Sequence, residues 1–545
     1  MSTNGTSTNP GLSFTSGHND PVWIQSNPYT SWPRFKKFNE SIETHTVIAG
    51  AGVAGISTAY ELVKKGIKVV LLDAREVTSG ESGRSNGILG DWLGMKWHDI
   101  IRLHGIENAK LIYESHRYAI RRVQEIAKEL NIECDFKKLP GHISLPTRDE
   151  LSEEIEAYNN LVGLTEAPAE ALVDDVVSHS KTFRVMDYVT LHPTKYLHGI
   201  LRYLSENHSD LFSCYTHTRV KAYKGDENGL SVEIDGRSVS IKAKNFVMAM
   251  NVPVRSRTYI MAHGYYRTYH IATTIPKADA PEYIISGSTH IPGFAASIAP
   301  HPEPNLKYLI ITGGRHKTAH IHIENYEPHY TKLKKWVFEN FPTANADPDF
   351  SWSSQIVDSN DHLAFIGREK PGTNIFVITG DSGAGLNYGV VGAKILSDQI
   401  TGVKNTWENV YDASRKPKSK LFDQEIENVH LEELIAKSRE TRDYSIDIED
   451  LPPCTGAVIS KDRTQYGMPL AIYKDEEGKT RQFTGLCTHA YGVLAWNPTE
   501  KTFDCALHGS RFDARTGRCV IGPANAGLKP DNDAAREAAA ASVEI

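Results

Sequence analysis

Four side chains toward the C-terminal end of this 545-residue chain have the types and spacing of a metal centre. Cys487 and His489 form a Cys-x-His pair, and after fifteen residues Cys505 and His508 form a Cys-x-x-His pair. Two thiolates and two imidazoles on paired loops can hold a 2Fe-2S centre, Cys487 and Cys505 on one iron, His489 and His508 on the other. The same four donors also satisfy a tetrahedral zinc. The remaining cysteines, 134, 214, 454 and 519, have no histidine at such spacing and read as small core residues; six in so long a chain make no disulfide framework.

A second chemical signal lies near the other end. Gly50, Gly52 and Gly55 stand in G-x-G-x-x-G spacing between an apolar run and an amphipathic segment, and a second apolar run ends in Asp73. The order is strand, tight turn, helix, strand, as a dinucleotide site requires. Gly50 lets the chain turn, Gly52 lets backbone approach a pyrophosphate, and Gly55 lets helix pack on strand. Val53 and Ala54 open the helix, whose unpaired N–H groups and positive dipole end face the phosphates. A carboxylate at Asp73 suits an adenosine ribose and disfavours a 2'-phosphate.

The stretch NIFVITGDSGAGLNYG (374–389) repeats the strand, glycine turn and helix order. Gly380, Gly383 and Gly385, with Leu386, precede a helix expected from near Asn387, which would point another positive end at the same cofactor. No second G-x-G-x-x-G occurs, so a separate NAD(P)H domain is not expected. The dinucleotide is therefore read as FAD.

Length allows two to four domains. The near balance of 60 basic and 67 acidic residues gives no electrostatic reason to expect nucleic acid, and no apolar run approaches a membrane span. The first 45 residues lack the pattern of a signal or transit peptide, so a cytoplasmic location is expected.

The elements around these motifs alternate between two periods. Residues 1–20 are expected to be a mobile tail, while the aromatics of 21–35 should pack. Residues 100–131 read as helix, FKKLPGHISL (136–145) as strand, turn and strand, and 229–251 as a hairpin across Asp235-Gly236. A charged segment with helical spacing, 403–446, is expected to connect to a last domain at 447–530, followed by a polar tail at 531–545.

The GAGVAG turn (50–55), ESGRSNG (81–87), HPTKYL (192–197), WSSQIVDSNDHLAFIG (352–367) and TGDSGAGLNYG (379–389) together resemble the D-amino-acid-oxidase-like (DAO) family of FAD-dependent oxidoreductases over residues 21–402. The C-terminal motif with HGSRFD (508–513) and GPA (522–524) resembles the Rieske 2Fe-2S domains fused to such flavoproteins. The resemblance implies an α/β, Rossmann-like FAD domain interleaved with an antiparallel-sheet substrate domain (α+β), plus a small all-β Rieske domain. It implies Ser82 and Arg84 as further FAD contacts. It also brings His263, Tyr266, Tyr269, Arg315 and His316, in HGYYRTYH and GGRHKT, to the substrate side as candidate catalytic or anchoring groups. High-potential Rieske proteins carry a bridging cysteine pair where this chain has Gly492 and Leu507, and a Tyr where it has Phe512; Ser510 is kept. The potential is expected below the high end of the Rieske range.

The expected activity is oxidation of a small amine, amino acid or hydroxylated metabolite by hydride transfer to FAD, with electrons leaving through the 2Fe-2S cluster to an unidentified acceptor. The alternatives are a reductase fed through the cluster by a redox partner or NAD(P)H, and a non-catalytic electron carrier.

Overall fold

The computed structural model describes residues 10–12, 14–91, 95–145, 147–162, 181–226, 229–253, 259, 262–287, 293–318, 326–416, 448–460 and 468–531. The expected connector from 417 onward, the first nine residues and nearly all of the polar tail lie outside the described residues.

In chain order, the elements that position the sites are β1 (Ile42–Ala49), α1 (Val53–Lys64), β2 (Val69–Leu72), β3 (Phe212–Tyr215), β4 (Ser240–Met248), β5 (His263–Pro276), β6 (Leu306–Lys317), β7 (Phe350–Ser359), β8 (Phe365–Arg368), β9 (Ile375–Thr379) and α2 (Gly385–Thr401). One sheet runs β8-β9-β4-β1-β2-β3, parallel throughout except for β8 with β9. Both faces of β1 and β2 are covered, which is why their sequences are continuous apolar runs. Ile48, Val69 and Leu71 pack on the α1 side, and Val47, Val70 and Leu72 pack on the other. The hairpin expected across Asp235-Gly236 joins Gly229–Ile234 to β4.

The second sheet begins β7-β5-β6 and continues through five further strands, ending with Lys137–Leu145, Lys181–Thr190 and Ile88–Leu89. Its strands are drawn from chain segments lying between those of the first sheet, so the two sheets interleave as expected. Antiparallel pairing of β5 with both β6 and β7 makes their alternating side chains a two-sided wall.

Three local expectations are corrected. FKKLPGHISL is a single strand, Lys137–Leu145, with a register shift at Pro140; Gly141 does not turn but makes room for the Tyr188 ring, which a Cβ there would meet at 2.5 Å. The helix expected over 100–131 is two, Trp97–His104 and Ile106–Glu129, broken at Gly105 with φ 81°. Residues 14–20, expected to be mobile, are anchored: Ser16 N–H donates to Ser79 O at 3.0 Å and His18 N–H to Glu500 at 2.6 Å.

At the C-terminal end, a three-stranded antiparallel sheet (Thr455–Ser460, Pro469–Lys474, Thr480–Thr484) stands beside a four-stranded one, β10 (Leu494–Asn497), β11 (Thr502–Cys505), β12 (Arg511–Asp513) and β13 (Cys519–Ile521). Phe483, Leu494, Phe503 and Phe512 form its core, with Cys487 and Cys505 inside the same cluster. Among the described residues no helix is long and apolar enough to cross a membrane.

Candidate functional site

The turn after β1 is shaped by what its glycines exclude. A Cβ on Gly55 would stand 1.8 Å from Gly50 O, and Gly50 itself has φ 107° with Ala249 O at 2.4 Å from a built Cβ. A side chain at Gly52 would meet Ser82 Oγ at 2.8 Å, and that hydroxyl accepts from Val53 N–H at 3.0 Å. Asp73 closes β2 and accepts from Ala51 N–H at 2.8 Å and Arg75 N–H at 2.9 Å. Across the cleft, α2 starts at Gly385, two residues earlier than expected, and crosses α1 where Gly389 meets Val53. Both helix N-termini open into one cavity of about 290 Å³, lined by Gly50, Gly52, Val53, Ala54, Asp73 and Ser82 on one side and Gly383, Gly385, Leu386 and Gly389 on the other.

The wall of β5, β6 and β7 closes the far end. Thr268, His270, Thr312, Ser354 and Ile356 line the cavity. His270 is fixed by Thr312 Oγ1 at 2.9 Å and Ser354 Oγ at 2.8 Å and stacks on Trp352; burial lowers its pKa to about 3, so it is neutral. Asp381, in the turn before α2, also lines the cavity; burial first and then the charge of Glu81 raise its carboxyl to about 6. Arg75, Asn251 and Asn525, each with a buried side-chain polar atom that has no hydrogen-bond partner, also line this space. Such atoms are costly in a dry interior. They fit a polar dinucleotide ligand.

The four predicted ligands come together on two loops. Cys487 N–H donates to Gly492 O at 2.9 Å, and Gly509 N–H to Cys505 O at 3.1 Å, closing each loop on its cysteine. A Cβ on Gly492 would touch the Leu507 side chain at 2.7 Å and Cys505 Sγ at 3.2 Å, so the two positions that cannot form a disulfide do face each other. A hydrogen bond from Cys505 lowers the Cys487 thiol below its ordinary value, with help from Ser510. The His489 and His508 rings lie 4.9 Å apart, and His508 Nδ1 is buried with no hydrogen-bond partner, as a metal-ligating nitrogen would be. A two-iron cluster divides these four ligands between its metals, two on each.

The cluster domain seats on the back of the β5–β7 wall. The His508 ring meets the Tyr265 ring edge-on at 6.0 Å, and Gly509, with φ 69°, leaves room for the Gln355 amide. Glu500, fully buried, lies 3.8 Å from Arg84 and from Arg267 of the flavin-side domain and 3.5 Å from Arg511 of its own, and accepts from Ser353 Oγ. Burial would raise its pKa, but the Arg511, Arg84 and Arg267 guanidiniums overrule this and hold it at about 2.

Several predicted site residues stand elsewhere. Arg84 does not reach the cavity; it donates to Ser353 O at 2.8 Å and Asn19 O at 2.9 Å and faces Glu500, because burying a guanidinium requires a carboxylate. Gly380, with φ 73°, shapes the second turn above His263 rather than lining the cavity, and His263 is buried among Tyr259 and Phe365, lowered to about 3 by burial. Tyr269 and His316 bond each other at 2.6 Å and stack with His329 away from the cavity. Arg315 pairs with Asp358 and lies over the Tyr266 ring at 4.1 Å, beyond the cavity lining. Thr268, His270, Thr312, Ser354, Gln355, Asp381 and Glu500 were missed. Strand alternation through HGYYRTYH could have separated 268 and 270 from 265, 267 and 269.

Comparison with known proteins gives this arrangement its place. The pattern of the DAO family, FAD-dependent oxidoreductase, matches residues 45–399, and that of the Rieske [2Fe-2S] domain matches residues 447–530. The chain belongs to the DAO family of FAD-dependent oxidoreductases and carries a C-terminal Rieske domain. Its cofactors are FAD and a Rieske 2Fe-2S cluster. A putative Rieske 2Fe-2S iron-sulfur protein of Bacillus subtilis (strain 168), YhfW, is 27% identical over 92% of this chain and 96% of its own length. Gamma-glutamylputrescine oxidoreductase of Escherichia coli (strain K12) is 29% identical over 28% of this chain and 37% of its own. The crystal structure of glycine oxidase from Geobacillus kaustophilus superposes with a TM-score of 0.54 at 14% identity, over 69% of this chain and 99% of that one, a likeness of fold.

Proposed function

We propose that this enzyme dehydrogenates a small amine, amino acid or hydroxylated metabolite and delivers the electrons singly to an external acceptor. Bound in the two sites, FAD supplies hydride chemistry and the Rieske cluster one-electron carriage. The observation that carries the reading is the two-sided wall: the sheet whose front lines the dinucleotide cavity holds the His508 loop against its back at Tyr265. The names of gamma-glutamylputrescine oxidoreductase and glycine oxidase support a nitrogen-bearing substrate.

In this reading Gly50, Gly52, Val53, Ala54 and Ser82 hold the pyrophosphate against the α1 N-terminus. Asp73 fixes that turn and stands at the ribose. Gly383, Gly385 and Leu386 present the α2 N-terminus to the same ligand. Thr268, His270, Thr312 and Ser354 orient the reacting end with neutral polar groups. Asp381 has the pKa of a proton acceptor that works near neutral pH, about 6. Cys487, His489, Cys505 and His508 hold the irons.

The test is an anaerobic screen of amines, amino acids and alcohols for flavin bleaching, run on wild type and on Cys505→Ser. The cluster-free variant should still be bleached in a single turnover and lose steady turnover with a one-electron acceptor. Turnover of that variant at the wild-type rate would put the cluster off the electron path. Bleaching by NADPH alone would reverse the proposed direction.

A further inference from the structure

We infer that the Rieske domain is part of the FAD site: the segment Val520–Asn525 forms the outer wall over the adenosine end, so the flavin domain holds its cofactor fully only while the Rieske domain is docked. The inference rests on the assignment of the cavity to FAD. The family match that implies FAD covers residues 45–399.

The argument starts from which end of the cavity the segment covers. Asp73 and Arg75 follow β2, and Thr218 N–H donates to Asp73 O at 2.7 Å, which places Thr218 and Arg219 beside the ribose end of the glycine turn. Val520, Ile521, Gly522, Ala524 and Asn525 line the cavity at this end. Three hydrogen bonds fasten them there. Arg219 Nη2 donates to Cys519 O at 2.6 Å, Arg75 Nη1 to Val520 O, and Asn525 Nδ2 to Lys221 O.

The chemistry of the wall fits an adenosine. Asn525 and Arg75, whose Oδ1 and Nε are buried without a hydrogen-bond partner, line the same space, one bringing an acceptor and the other a donor. A buried polar atom left unpaired costs on the order of 1–3 kcal/mol, and adenosine presents both an amino donor and hydroxyl or ring-nitrogen acceptors. The segment's apolar members, Val520 and Ile521, offer a surface for the flat base. A second, separate contact holds the domain in this position: Glu500, pinned by Arg84 and Arg267, lies outside the cavity lining. Docking and cofactor retention are therefore linked, since a ligand that binds only the closed form stabilises closure by mass action.

The experiment follows FAD release from the full-length holoprotein by recovery of free-flavin fluorescence on dilution, with iron content and the reduced-cluster EPR signal recorded on the same samples. Asn525→Ala should release FAD about tenfold faster than wild type, equivalent to about 1.4 kcal/mol, with iron content and EPR unchanged. Glu500→Gln, which touches no cavity atom, should do the same by loosening the domain, and the protein should become more sensitive to limited proteolysis. If both variants release FAD at the wild-type rate while Glu500→Gln gains protease sensitivity, the wall plays no part in holding FAD and the inference is overturned. If wild type itself retains no FAD, the cofactor assignment falls first and the inference with it.

Discussion

The two faces of the β5–β7 wall are built from different chemistry. Where it lines the cavity, that face carries hydroxyls, a neutral imidazole and Ile356, and beyond the lining its guanidinium, Arg315, is paired with Asp358 of the same sheet. The back face buries Arg267 beside Ser353 and, across the seam, Glu500 and Arg511, every charged member less than a tenth exposed. A face meant for a ligand that comes and goes cannot keep an uncompensated charge dry. A face covered by a second domain can, because that domain brings the counter-charge. One strand thus serves two neighbours by alternating residue by residue.

Gly55→Ala should have the largest effect, since a methyl 1.8 Å from Gly50 O cannot be accommodated without opening the turn. The purified variant should lack flavin absorbance yet keep its iron, which would show that the dinucleotide site fails without the cluster site. Retained FAD would break the assignment of the turn.

Glu500→Gln comes next. Removing one partner from a buried ion pair typically costs about 3–5 kcal/mol, so the melting temperature should fall. The pH dependence has a definite sign. The folded carboxyl is depressed to about 2 from 4.5, so its contribution is complete above pH 4.5 and is lost as pH falls from 4.5 toward 2. Acid titration of protease sensitivity should show that window in wild type and not in the variant.

Asp381→Asn should leave both cofactors bound and lower kcat/KM by about a hundredfold or more, the usual worth of a general base. In wild type the rate should fall as pH drops through about 6, where the carboxylate takes its proton. The variant should lose that limb. A limb that survives unchanged would move the proton acceptor to another residue.

Tyr265→Phe is expected to change least. The Tyr265 hydroxyl is buried without a partner, so removing it relieves a desolvation cost and leaves the ring against His508. Thermal stability should stay within about 1 kcal/mol of wild type, and a large loss would mean that the hydroxyl is bonded when the cluster is present.

Motifs whose chemistry is local were legible in the sequence. The proposed cluster ligands lie on two short loops, and the glycine turn needs only its neighbours β1, α1 and β2, so spacing alone brought Cys487, His489, Cys505 and His508 and Gly50 and Gly52 to notice, and the resemblance added Ser82. Roles set by a partner far along the chain were not legible. Arg84 stands as an FAD contact by resemblance until Glu500, more than four hundred residues away, is seen beside it. Tyr269 and His316 read as catalytic because the type is right, yet a one-residue step along a strand moves a side chain to the other face. The wall at Val520–Asn525 could not be read at all, because domain docking leaves no periodic trace in sequence.

The most direct test of the account is the kinetics of cluster reduction after the bound flavin is reduced by a light pulse under anaerobic conditions, followed by freeze-quench EPR at several protein concentrations. If the wall joins the two centres within one chain, the Rieske signal should appear with a single first-order rate that does not depend on protein concentration. A rate that rises in proportion to concentration, or a cluster that stays oxidised while the flavin is bleached, would contradict it.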